Sequence, residues 1–252
     1  MALPKLNTPT YQLELPSTGE KLKFRPFLIK EQKILMMAQE SGDDTQLFEA
    51  MKQLVNACTF GKIDAEVSPI FDVEFLFLQI RAKSVGETTT VNIICPDDGK
   101  TEVPTTINIE DITVNMTEDH TNVVELTDNV SVHFRYPILN DMTGLKSDPS
   151  EMETLFHVIN NCVSEIHDGD DVYRRVDMSD KEIDEFMDSL STTQFENITK
   201  FFQTAPKLRH IITVTNPKTK KKSEVTLEGL QDFLEKDYLT IVYLIIIKLT
   251  LE

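Results

Sequence analysis

The chain has 252 residues, 40% hydrophobic and 27% charged, values of a folded protein long enough for one large domain or two ordinary ones. Its 42 acidic against 25 basic residues give a formal net charge of −17. A surface that acidic repels phosphate backbones and anionic membranes; this sets aside nucleic acid and membrane as partners and leaves solubility, or the shielding of a sticky or basic protein.

Tyr11, Leu13 and Leu15 alternate with polar residues, as do Leu22 and Phe24, around the turn Pro16-Ser17-Thr18-Gly19. This predicts a hairpin with one buried face. From Ile29 the period changes, and Ile29, Ile34, Leu35, Met37 and Ala38 predict a helical apolar stripe that stops at Gly42. A second helix starts at Asp43-Asp44-Thr45, with Leu47, Phe48, Met51, Leu54 and Val55 on one side. Asp72 is the expected cap of a third helix, which carries Phe75 to Ile80 and then Arg81 and Lys83 near its negative pole, and which stops at Gly86. Residues 88–116 read as strands, with Asp97-Asp98-Gly99-Lys100 as a hairpin turn.

A similar order then recurs. Residues 121–136, TNVVELTDNVSVHFRY, match 10–27, TYQLELPSTGEKLKFRPF, in having two short alternating segments that end in Phe-Arg. Each is followed by helix containing an Asn-x-Cys step, at Asn56-Ala57-Cys58 and Asn160-Asn161-Cys162. Ser150 and Glu153 predict a capping box for a helix with Leu155, Val158, Ile159 and Cys162 on its apolar side, ended by Gly169. Two helical pieces at 180–190 and 193–202 face Ile183, Phe186, Met187, Leu190, Phe195, Ile198, Phe201 and Phe202 inward. Strands at 208–215 and 223–227 form a last hairpin, with a short helix near 228–236. The expected fold class is therefore α+β: two similar hairpin–helices–hairpin units at 1–116 and 117–236, an internal duplication, and an apolar segment at 237–252.

The chemistry-bearing residues are sparse. Cys58, Cys95 and Cys162 have no paired spacing, so neither a disulfide framework nor a four-cysteine zinc site is expected, and the profile is that of a reducing compartment. Cys95-Pro96-Asp97-Asp98-Gly99 has one thiolate of a zinc knuckle and reads as a turn. In His167-Asp168-Gly169-Asp170-Asp171 the glycine falls at the wrong place for a calcium loop, and the terminal glutamate is missing. Glu153 and His157 share a helix face but supply at most two ligands. The histidines are scattered, and no metal or catalytic residue is predicted. Acids crowd 165–188 and read as a solvated face or a docking face for a basic partner. Lys218, Lys220, Lys221 and Lys222 form a basic hairpin tip without interleaved aromatics. The sequence carries no phosphate-cradling glycine loop, nucleophile elbow or HExxH pair. A non-enzyme is expected.

The residues MALPKLNTPT have no apolar core of a secretory signal, and the apolar run near 238–247 is far shorter than the roughly 18 residues a bilayer requires. That run, YLTIVYLIIIKLTLE, is either a final core element or a contact with a partner or a second copy. Its candidate partner-binding residues are Tyr238, Leu239, Ile241, Val242, Tyr243, Leu244, Ile245, Ile246 and Ile247.

Three stretches resemble the baseplate hub-assembly proteins of T4-like contractile-tailed phages. They are MALPKLNTPTYQLELPSTGEKLKFRPFLIKEQKILMMAQES, CTFGKIDAEVSPIFDVEFLFLQIRAKSVGE and ICPDDGKTEVPTTINIEDI. The resemblance is clearest over roughly residues 1–112, and the second half is compatible with the longer members. It implies an assembly factor that binds phage hub or tail proteins in the host cytoplasm, with no enzymatic activity and no cofactor. The alternative it leaves is a structural subunit retained in the virion.

Overall fold

The computed structural model describes residues 6–41, 44–118, 120–142 and 150–233. The described residues divide into two units, one of 6–115 with 207–233 and one of 116–206. The fold class is α+β, with six helices and antiparallel sheets among the described residues.

In the first unit, β1 (Tyr11–Glu14) and β2 (Lys21–Phe24) form the expected hairpin, in the register Tyr11 opposite Phe24. Gly19 takes φ +70° in its turn, a conformation that a β-carbon disfavours. Helices α1 (Ile29–Ser41), α2 (Asp44–Cys58) and α3 (Ile70–Ser84) follow. On α2, Met51, Leu54 and Val55 are buried as expected, while the side chains of Leu47 and Phe48 lie outside the described residues, as does Gly42. The apolar stripe expected on α1 is corrected: Ala38 is buried, but Ile29 is 66% exposed and Met37 69%. The cap of α3 is also corrected, since Pro69 holds that position. Asp72 sits one turn inside and is buried, accepting the Ser17 backbone N–H (3.1 Å) and its hydroxyl, which ties α3 to the first hairpin.

Strands β3 (Thr88–Ile94) and β4 (Glu102–Asn108) pair as predicted. In their turn Asp98 accepts the Lys100 and Thr101 N–H groups and the Thr101 hydroxyl, which draws its carboxyl well below the usual range. β5 (Thr113–Asn115) does not join them. It pairs with β10 (Lys207–Thr215), which pairs in turn with β11 (Lys222–Glu228), giving the order β11-β10-β5. This pairing corrects the expected second unit of 117–236, because 207–233 returns to the first. Asp97 at the β3–β4 turn accepts from Asn216 (2.9 Å) and Thr219 (2.5 Å) at the β10–β11 turn, so the two hairpin tips are bonded together. A 3-10 turn at Leu230–Phe233 closes this core, and the Phe233 carbonyl accepts from the Thr89 hydroxyl. Residues 237–252, expected as an apolar segment, lie outside the described residues.

The second unit contains a four-stranded sheet in the order β6-β7-β8-β9, with β6 (Val123–Glu125), β7 (Val130–Phe134), β8 (Val163–Asp168) and β9 (Asp171–Arg174). Helix α4 (Glu151–Cys162) has the predicted capping box between Ser150 and Glu153. It ends at Cys162, not at Gly169. Val163–Asp168 is strand because it lies along β7, where Val132 faces Ile166, and Gly169 (φ +58°) turns the β8–β9 hairpin. Helices α5 (Asp180–Asp188) and α6 (Thr192–Thr204) each begin with a further capping box, from Ser179 and Ser191. The residues predicted to face inward do so: Ile183, Met187, Ile198, Phe201 and Phe202 are buried against Phe134, Val158, Ile159 and Cys162. Phe186, Leu190 and Phe195 pack at the margin.

Candidate interaction surfaces

A strand that ends in Phe-Arg leaves a guanidinium where the chain passes from sheet to helix, and both units use it alike. In the first, the Arg25 backbone N–H donates to the Cys58 carbonyl (3.0 Å), Nη1 to the Pro26 carbonyl (2.9 Å) and Nη2 to Glu31 (3.0 Å). Glu31 in turn accepts the Leu28 N–H (2.7 Å). In the second, the Arg135 N–H donates to the Cys162 carbonyl (2.9 Å), Nη1 to the Tyr136 carbonyl (3.1 Å) and both terminal nitrogens to Asp141 (2.7 and 2.6 Å). Asp141 accepts the Ile138 N–H (2.9 Å). An arginine, an acid six residues on and a buried cysteine thus form one latch, made twice.

Its electrostatics follow from burial. Desolvation pushes the Glu31 carboxyl up, but hydrogen bonds from Arg25, Leu28 and Lys30 outweigh it and hold the group below its ordinary value. Desolvation pushes the Cys58 thiol up to about 11, and burial followed by the Asp141 charge raises Cys162 well above the ordinary range. All three cysteines are buried and unpaired, as small core residues. Such thiols are poor nucleophiles at neutral pH.

The Arg135 latch forms one wall of a cavity of about 650 Å³ in the second unit, with His157, Asn161, Ser164, Glu165, Arg174 and Arg175. Its guanidinium groups are committed: Arg135 to Asp141, Arg175 to Asp180, and Arg174 to Glu165 at 3.7 Å. Any anion entering must compete with carboxylates already in place.

Among the described residues, exposed large apolar side chains lie close together on α1 and around β9. On α1 of the first unit, Ile29, Ile34, Met36 and Met37 face solvent among Lys30 and Lys33. On the second unit, Val172 and Tyr173 are half exposed on β9, and Val176 beyond it is 88% exposed. Among the described residues β9 is an edge strand of its sheet, exposed along its length, as a strand that can accept an added strand would be. Of the acids of 165–188, several have local duties. Glu182 caps α5, Asp184 accepts from Asn160 (2.6 Å), Glu185 pairs with Lys181 (2.9 Å), and Asp180 pairs with Arg175.

Of the motifs singled out in the sequence, 167–171 is the tight β8–β9 turn and Cys95–Gly99 the β3–β4 turn. The Lys218–Lys222 cluster lies at the β10–β11 tip. Glu153 serves the α4 cap, while His157 pairs with Asn161 (3.1 Å). Tyr238, Leu239, Ile241, Val242, Tyr243, Leu244, Ile245, Ile246 and Ile247 lie outside the described residues. The scattering expected of the histidines is corrected at one point: His133 and His167 stack with ring centroids 4.1 Å apart, and Glu165 lies beside them. Only the β7–β8 register reveals this, so no sequence spacing could.

Among the described residues no helix is long and apolar enough to cross a membrane. Exposed aliphatic side chains, an open strand edge and partly neutralised acids are surface chemistry suited to contact with other proteins. The chain belongs to the T4 bacteriophage base plate protein family, whose profile matches residues 8–235. No match is found among curated proteins or among solved structures.

Proposed function

We propose that this baseplate protein is a non-enzymatic assembly factor for the hub of a contractile-tailed phage, acting in the host cytoplasm by binding hub or tail proteins. The family match over residues 8–235 carries the reading, because it sets the chain among components of one assembly. The exposed Ile29, Met36 and Met37 of α1 and Val172 and Val176 near β9 support it, since side chains of that size gain most when another protein covers them. The apolar residues Tyr238–Ile247 supply a third contact, to a hub or tail protein or to a second copy. Each large aliphatic side chain buried there would contribute roughly 1.5–3 kcal/mol before ordering costs. The acids of 165–188 would orient a partner and speed encounter more than they add affinity.

The test is capture of phage proteins from infected cells by three forms of the chain: wild type, M36E/M37E, and a truncation after Lys236. Folded variants that lose a hub or tail protein support the reading. Unchanged recovery of every partner by both folded variants contradicts it. The second reading is a subunit retained in the finished baseplate, which the same family membership accommodates.

A further inference from the structure

The outer face of the β7–β8 pair carries a ligand set that its strand register assembles. His133 lies directly opposite Glu165, and His167 is two residues along β8, so its side chain leaves the same face of the sheet. Val132 and Ile166 point the other way, into the core. One nitrogen from each histidine and one oxygen of Glu165 lie within 4.8 Å of one another.

We propose that His133, Glu165 and His167 bind a divalent transition-metal ion of the zinc type. Two imidazoles and a carboxylate are the donor set that borderline ions favour over magnesium or calcium. Tetrahedral coordination at about 2.0–2.1 Å places donors about 3.3 Å apart, so modest side-chain rotation closes the set around an ion. The Glu165 carboxylate is already turned to the task. One oxygen accepts from His167 Nε2 at 2.9 Å, while the other faces Arg174 Nε at 3.7 Å. The ion takes the place of the proton between His167 and Glu165, and Arg174 keeps the second oxygen.

A bulge fixes the geometry. The register shifts between His133 and Phe134, so that Phe134 pairs with Val163 and Ser164 is the extra residue. The Ser164 hydroxyl donates back to the His133 carbonyl at 2.8 Å, which holds the bulged backbone in place. Val163 and Ile166, three residues apart on β8, can then both enter the core while Glu165 and His167 stay on the outer face. Three protein donors leave a fourth position open, to water or to a side chain from a second protein.

The experiment is a titration of the full, chelator-stripped chain with Zn²⁺ alone. Calorimetry gives stoichiometry, and NMR follows the imidazole signals of the five histidines. The expected result is one equivalent bound, with the His133 and His167 signals shifting first. His167→Gln and Glu165→Gln should each weaken binding by about tenfold or more, with the circular dichroism unchanged. His167 and Glu165 are only half-buried, so these variants are expected to fold; if one does not, the histidine signals of the wild type decide the matter alone. Absence of binding, or binding that shifts other histidines and survives both substitutions, would overturn the proposal.

Discussion

Arg25 meets Glu31 through one nitrogen in a place where the two side chains are only 11% and 5% exposed, whereas Arg135 grips Asp141 with two nitrogens while its own side chain is 38% exposed. The first latch relies on enclosure and the second on geometry. After the latch the units part. Cys58 is followed by a loop and helix α3, Cys162 directly by strand β8. The difference teaches where this repeated arrangement is confined. It governs the passage from the second strand of a hairpin to the end of a helix, and the pairing of later strands is decided by other contacts.

The largest effect is expected at the first latch, where the guanidinium to be removed is 11% exposed against 38% in the second, while the two carboxylates are equally enclosed at 5%. Arg25→Met leaves the Glu31 carboxylate enclosed without its guanidinium and should lower stability by about 3–5 kcal/mol in urea unfolding. A loss equal to or smaller than that of Arg135→Met would break the comparison, because it would make bidentate geometry outweigh enclosure.

The next effect concerns a carboxyl that has no arginine partner among the described residues. Glu74 on α3 is buried and accepts only a long contact from the Leu230 N–H (3.5 Å), and desolvation pushes its pKa up to about 8. A carboxyl raised in the folded state favours folding fully below the unfolded value of 4.5, and this contribution is lost as pH rises through about 8. Glu74→Gln should therefore leave stability near pH 4 unchanged and raise it by roughly 4 kcal/mol at pH 8. Denaturant titrations across that range check it, and hydrogen exchange localises the gain to α3. An unchanged pH slope would show that Glu74 is already solvated.

The smallest effect belongs to the second latch. Arg135→Met should cost about 1–2 kcal/mol, since the guanidinium it removes is 38% exposed and its ion pair is partly screened by water, although Asp141 itself is only 5% exposed. Together with Arg25→Met it turns the contrast in exposure into a measured difference.

Much of the fold was legible in local pattern. The first hairpin shows in its alternation, and α4 shows in the capping box of Ser150 and Glu153, whose bonds involve only near neighbours. The β8 strand was not, for a physical reason. Leu155, Val158, Ile159, Cys162 and Ile166 keep helical spacing straight across the junction, so periodicity continues where the helix does not. What ends the helix is the free edge of β7, which lies about 30 residues back in the chain. The return of β10 to β5 is likewise a long-range pairing that residue pattern cannot encode. The exposed stripe of α1 was misread because apolar spacing predicts a face but not what covers it. The His133–Glu165–His167 cluster depends on register and a bulge, and sequence shows neither.

The central claim, that this base plate family member assists assembly and does not remain as a subunit, is tested most directly by counting the chain through the assembly pathway. Mass spectrometry of hub-assembly complexes and of finished particles from the same infection gives that count. The account predicts the chain in complexes with hub proteins and its depletion from finished particles. A fixed stoichiometry in the finished baseplate would contradict it.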